Sequence, residues 1–193
     1  MIAITHRKLC RVPFLDQMER LAAGGPEMVI LREKDLPHDE LCNLIADVWH
    51  ICREHCVPLS VNTDFQAARE TGIERIHVPM AVLRDSDLSD FPVIGASVHS
   101  ADEAREAESL GADYLIAGHV FPTACKLGLE PRGTEFVRSV CSSVSVPVYA
   151  VGGITPVNKD AVYAAGATGV CVMSSAMTSD DPAALVRSLE RPL

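Results

Sequence analysis

The feature that most restricts this chain is a repeat of short apolar runs, each followed by a stretch with helical spacing. The runs are Ile2–Thr5, Met28–Arg32, Leu59–Asn62, Arg75–Val78, Val93–Val98, Tyr114–Gly118, Val146–Val151 and Gly169–Ser174. They are almost continuously apolar rather than alternating, as expected of parallel strands covered on both faces. Eight such strands with helices between them predict an α/β fold, a single (β/α)8 TIM barrel, with a doubly wound open sheet as the alternative. The junctions agree. Thr71-Gly72, Leu110-Gly111 and Ala165-Gly166 each precede a strand, where glycine takes the left-handed conformation that ends a helix. Ser100-x-x-Glu103 reads as a capping box, and Thr155-Pro156 and Asp181-Pro182 place proline at a first helical position. Only a short helix fits the weak region 81–91, and no linker interrupts the pattern, so residues 1–193 read as one domain.

Composition narrows the partners. The formal net charge is -9, so the chain lacks the basic stripe that nucleic-acid binding needs. A small anion is still compatible, because a few placed amides and one or two cations hold a phosphate inside an acidic protein. No apolar run approaches the ~20 residues that span a bilayer, and the first residues read as a strand rather than a signal peptide. A cytoplasmic protein that binds no membrane is expected. The seven cysteines are odd in number, and Cys42, Cys52, Cys56 and Cys171 lie in apolar runs, as reduced core thiols do.

In a barrel of this kind the chemistry sits where strands run into the following helices. After strand seven, Gly152-Gly153 lets backbone approach a ligand; after strand eight, Ser174-Ser175 begins a short helix with inward amides. Two such loops at these strand ends predict a phosphate site, a tight turn with a helix cap being the plainer reading. His119 follows strand six directly and suits proton transfer near neutrality, a histidine hydrogen-bonded beneath the following loop being the plainer alternative. Arg32 and Lys34 share one side of the strand-two exit while Glu33 faces the other; two cations there suit a carboxylate or phosphate, and a solvated charge cluster at a strand exit explains them equally well. Asn62 ends strand three as a polar contact. His77, His99 and His119 stand near successive strand ends, but their separations follow the αβ repeat itself, and no metal is assigned. The His50-x-Cys52 and His55-Cys56 cluster is explained by helical spacing, with Cys52 and Cys56 in the core.

These motifs resemble the thiamine phosphate synthase superfamily along nearly the whole chain. The carrying segments are Leu31-Arg32-Glu33-Lys34, Ser97-Val98-His99-Ser100, Leu110-Gly111-Ala112-Asp113-Tyr114, Gly118-His119-Val120-Phe121-Pro122-Thr123 and Val151-Gly152-Gly153-Ile154-Thr155-Pro156. The superfamily has two branches. The synthase branch couples a pyrimidine pyrophosphate to a thiazole phosphate with magnesium. Here Thr63 and Val82 stand where that branch has liganding aspartates, and Ile30 replaces its glutamine. The loop Gly118–Gly133 is instead similar to the thiazole tautomerase (TenI-type) branch. That resemblance implies an isomerase that aromatises a carboxythiazole phosphate, with His119 moving the proton and neither metal nor organic cofactor required. It implies that Gly152, Gly153, Ser174 and Ser175 hold the phosphate, that Arg32 and Lys34 meet the carboxylate, and that Cys125–Gly133 closes as a lid, with Cys125 packing. Magnesium-dependent synthesis and a non-catalytic, TenI-like regulatory binder are the competing readings. Barrels of this size often pair, so a homo-oligomer is among the expectations.

Overall fold

The computed structural model describes residues 1–126 and 128–191. Eight parallel strands follow chain order around a closed barrel, β1 to β8, with helices between them. The strands are β1 (Ile2–Ile4), β2 (Met28–Leu31), β3 (Leu59–Asn62), β4 (Arg75–Pro79), β5 (Val93–Val98), β6 (Tyr114–Gly118), β7 (Val148–Val151) and β8 (Gly169–Val172). The helices are α1 (Phe14–Ala23), α2 (His38–Glu54), α3 (Phe65–Thr71), α4 (Met80–Asp85), α5 (Ala101–Ser109), α6 (Gly133–Cys141), α7 (Lys159–Ala164), α8 (Ser174–Thr178) and α9 (Pro182–Ser188). The contacts group into two compact units, Met1–His77 with Met173–Glu190, and Val78–Val172 with Arg191.

In the first unit, β1 and β2 pair from Ile2↔Met28 to Ile4↔Ile30, β2 and β3 from Val29↔Leu59, and β3 and β4 at Val61↔Ile76 and Asn62↔His77. Ile2, Val29, Ile30, Leu31, Val61 and Ile76 are all buried. The long α2 covers this sheet with Leu41, Ile45, Val48 and Cys52, a three-and-four spacing that puts one stripe inward. Each such side chain contributes about 2 kcal/mol through burial. The helix ends at His55, and Cys56 then takes a left-handed φ of 56°. Cys56 is therefore exposed, which corrects its placement in the core; Cys52 is buried as expected and Cys42 is half-buried.

In the second unit, β5, β6, β7 and β8 pair in sequence, with Gly95↔Tyr114 at the start of β5–β6. A Cβ on Gly95 would lie 2.1 Å from Tyr114 Cζ, so the missing side chain is what lets that ring lie across β5. Tyr114 then meets Tyr149 edge-on, with ring centroids 6.0 Å apart. Ser100 caps α5 by accepting from the Glu103 N–H at 3.0 Å, and Glu103 Oε2 accepts from the His99 N–H at 2.7 Å, one residue before the predicted partner. Gly72, Gly111 and Gly166 have φ of 72°, 90° and 105°, as the helix-ending reading requires. The helix expected from Pro156 starts later, at Lys159. Asn158 pulls the loop into a turn, its Oδ1 accepting from the Thr155 N–H at 2.8 Å and its amide donating to Gly153 O at 2.9 Å. Pro182 opens α9 as expected, with Asp181 accepting from the Ala184 N–H at 2.9 Å.

His77 on β4 is 3% exposed, and burial pushes its imidazole down to about 3. The folded state therefore holds it neutral while the unfolded chain takes up a proton below ~6.5. This stability is fully present above that value and is lost as pH falls toward the folded pKa. Urea unfolding at pH 7 and pH 5 should show His77 costing about 2 kcal/mol at the lower pH. A His77→Gln chain should lack that part of the slope; an unchanged slope would show that the histidine is not the group responsible.

Candidate functional site

The exits of β1, β2 and β3 build one cluster in the first unit. Thr5 follows β1, and its hydroxyl donates to Glu33 Oε1 at 2.7 Å while accepting from the Arg32 N–H at 2.9 Å. Glu33 is 4% exposed and also accepts from the Arg7 N–H at 2.9 Å and from Arg7 Nη1 at 3.2 Å. Arg7 reaches on to Asp35 in a two-pronged pair at 2.6 and 2.9 Å. The guanidinium and Lys8 beside it hold the Asp35 carboxyl well below the usual carboxylate range. Glu33 thus faces inward with all its partners in place, while Arg32 and Lys34 flank it with no carboxylate partner among the described residues.

A cavity of about 560 Å³ opens beside this cluster, lined by Leu31, Glu33, Lys34, Asn62, Thr63 and Asp64 among others. That volume suits a small organic ligand. Lys34 and Asn62, both read from the sequence, therefore face one space. Asn62 donates to Thr63 Oγ1 at 2.7 Å, and Thr63 takes a left-handed φ of 71° with its N–H on His77 O at 2.8 Å. Asp64 caps α3 through the Ala67 N–H at 2.9 Å. Ser174 and Ser175 form the first turn of α8, where Ser174 O accepts from the Thr178 hydroxyl at 2.9 Å.

The second unit holds His119, Gly152 and Gly153. His119 follows β6 at 8% exposure, and its Nε2 has no hydrogen-bond partner among the described residues. Gly152 has a φ of 105°, and a Cβ there would stand 2.4 Å from His119 Cβ and 2.8 Å from His119 Cα. A Cβ on Gly153 would stand 2.4 Å from Pro122 O. The two glycines are thus needed for close approach, and what they approach is the loop carrying His119. The Val120 N–H donates to Val151 O and the Phe121 N–H to Gly152 O, both at 3.0 Å, which sews the two loops together. His99 is exposed, and its ring donates to Gly118 O at 2.8 Å. In the expected lid, Cys125 is exposed rather than packed, which corrects its reading. Leu127 lies outside the described residues. The lid's far end is tied down, Arg132 N–H to His119 O and Gly133 N–H to Val120 O, both at 3.0 Å.

Magnesium, which the synthase branch implies, finds a poor donor set at the corresponding positions. Ile30 is fully buried hydrocarbon and Val82 offers no oxygen. The Thr63 hydroxyl is already engaged by Asn62, and one Asp64 oxygen is committed to the α3 cap. A small hard cation that demands near-octahedral oxygen ligands does not fit that set.

The fold defines a (β/α)8-barrel protein with a cavity beside the exits of β2 and β3. A sequence model of the family described as thiamine monophosphate synthase matches residues 1–176, and the chain belongs to that family. It is 34% identical over 181 residues to a thiamine-phosphate synthase of Chlorobium luteolum, covering 91% of this chain and 85% of the relative. It is 36% identical over 183 residues to a thiamine-phosphate synthase of Moorella thermoacetica, covering 92% and 87%. The structure superposes on a thiamine phosphate pyrophosphorylase from Pyrococcus furiosus with a TM-score of 0.86 at 30% identity, covering 97% of this chain and 92% of that one.

These likenesses correct the isomerase assignment. The relatives matched over nine-tenths of the chain are named as synthases, which transfer a group rather than isomerise. The tautomerase reading rests on the loop Gly118–Gly133 together with Thr63, Val82 and Ile30 at the synthase branch's motif positions, and agreement with synthases over the whole barrel outweighs both.

Proposed function

We propose that the chain is a thiamine-phosphate synthase, joining a phosphorylated thiazole to a pyrimidine carried on pyrophosphate. The observation that carries this reading is the alignment of nearly the whole chain with relatives of that name at 34% and 36% identity. In this reading the thiazole nitrogen bonds to the pyrimidine's exocyclic carbon as the carbon–oxygen bond to pyrophosphate breaks. Both substrates are anions, and departing pyrophosphate gathers more charge at the breaking bond, so cations placed there favour reaction over mere binding. Lys34 on the cavity wall, with Arg32 two residues before it, supplies such charge. Glu33 holds the segment still from the buried side, and Asn62 offers an amide to the ligand. Ser174 and Ser175, in the first turn of α8 within the same unit, remain the main-chain groups proposed for the phosphate ester. A cytoplasmic site of action accompanies the reading.

Lys34→Ala should raise KM for a phosphorylated substrate about 10- to 100-fold, since a charge-assisted hydrogen bond is worth ~1.5–3 kcal/mol. An unchanged KM would remove Lys34 from the site. The proposal itself is tested by incubating purified protein with both substrates, with magnesium and separately with chelator, and assaying for thiamine phosphate. Product is expected.

Thr63, Val82 and Ile30 favour one second reading, a non-catalytic binder of a phosphorylated thiazole. It predicts saturable binding of that ligand and no product under either condition.

A further inference from the structure

A second constellation lies on the outer helices of the first unit. His38 opens α2, Cys42 stands one turn later on the same face, and Glu70 projects from α3. His38 Nε2 lies 2.9 Å from Glu70 Oε2 and 3.7 Å from Cys42 Sγ, and Cys42 Sγ lies 4.0 Å from Glu70 Oε2. Among the described residues, these three donor atoms gather within 4.8 Å of one another. Zinc bonds of ~2.0 Å to nitrogen and oxygen and ~2.3 Å to sulfur, at tetrahedral angles, place such donors about 3.3–3.5 Å apart. The observed separations bracket that value, so small side-chain rotations would bring all three atoms onto one ion. The other ring nitrogen supports the same reading. His38 Nδ1 faces Asp64 Oδ2 at 3.7 Å, just beyond a hydrogen bond, and a small ring rotation would let the carboxylate accept from Nδ1–H and fix the tautomer that leaves Nε2 free for the metal.

We infer that His38, Cys42 and Glu70 form a zinc site that clamps α2 to α3, with Asp64 orienting the imidazole. The mixed nitrogen, sulfur and oxygen set selects a borderline-soft ion and disfavours magnesium. Three protein ligands leave a fourth position for water. Asp64 also lines the cavity, so metal binding would steady the wall on which the proposed ligand rests. The site is independent of the assigned activity and stands or falls without it.

Cobalt(II) is the probe. Full-length protein freed of metal by chelator is titrated with cobalt alone, then with zinc. One equivalent should produce the visible bands of four-coordinate cobalt with a thiolate charge-transfer band, and one equivalent of zinc should abolish both. Cys42→Ser should lose the charge-transfer band while Cys56→Ser, at the exposed thiol, keeps it. Asp64→Asn should weaken zinc about 10- to 100-fold, as loss of an orienting carboxylate does. Glu70→Gln, at an exposed position where folding is not at stake, should weaken it at least as much. A wild-type cobalt spectrum without thiolate charge transfer, or one indifferent to Cys42→Ser, would overturn the inference and leave a surface His–Glu pair beside a thiol.

Discussion

A Gly152→Ala chain is expected to unfold roughly 10 °C below the wild type, a loss of about 4 kcal/mol. Two costs add. A φ of 105° is open to glycine and strained for alanine, at ~1–3 kcal/mol. The new methyl carbon would also stand 2.8 Å from His119 Cα, a backbone atom that cannot rotate away, which adds ~1–3 kcal/mol of overpacking. Gly25→Ala separates the two. Gly25 has a φ of 68° with nothing among the described residues within 4 Å of the added carbon, so only strain applies, about 1 kcal/mol. Thermal melts of the three proteins check this. Equal losses at Gly25 and Gly152 would mean that the His119 loop moves aside freely.

Glu33→Ala is expected to cost about 3 kcal/mol in urea unfolding, at the low end for breaking a buried ion pair. The carboxylate accepts from the Thr5 hydroxyl, the Arg7 N–H and the Arg7 guanidinium, and its removal leaves the first two without that acceptor. The guanidinium suffers less, because it keeps Asp35 and is partly exposed. Glu33→Gln keeps an oxygen for Thr5 and Arg7 N–H and should lose only about 1 kcal/mol. Because Glu33 fixes the segment that carries Lys34, the alanine variant should also raise KM for the phosphorylated substrate, while the glutamine variant should not. Equal stabilities for the two variants would show that the network does not hold the β2 exit.

How much of this was legible in the sequence depended on whether the deciding contact was local. Continuous apolar runs located all eight strands, and β3, β5 and β6 run between the expected residues because turn chemistry bounds them on both sides. Where boundaries moved, a specific group moved them. Val146 falls outside β7 because Pro147 has no N–H to give the ladder. Arg32 falls outside β2 because its N–H goes to the Thr5 hydroxyl. The inward turn of Glu33 could be read from strand alternation, but its partner Arg7 lies 26 residues away, and no spacing rule links them. Cys56 looked like core on helical period alone; the left-handed φ that ends α2 there turned it outward. The gathering of His38, Cys42 and Glu70 was legible only in its first pair, four residues apart, since Glu70 arrives with α3. The isomerase reading misleads for another reason: one loop and three motif positions, Thr63, Val82 and Ile30, stand against agreement along the whole barrel.

Whether a bond forms here between two phosphorylated heterocycles is read out best by phosphorus NMR of a single reaction mixture. Protein, the thiazole phosphate and the pyrimidine pyrophosphate are combined, and all phosphorus resonances are followed together. Free pyrophosphate and thiamine phosphate should grow in equal amounts, and more slowly with Lys34→Ala at limiting substrate. Substrate resonances that stay unchanged over many hours, in a sample that still melts cooperatively and still binds the thiazole phosphate, would contradict the proposed synthesis.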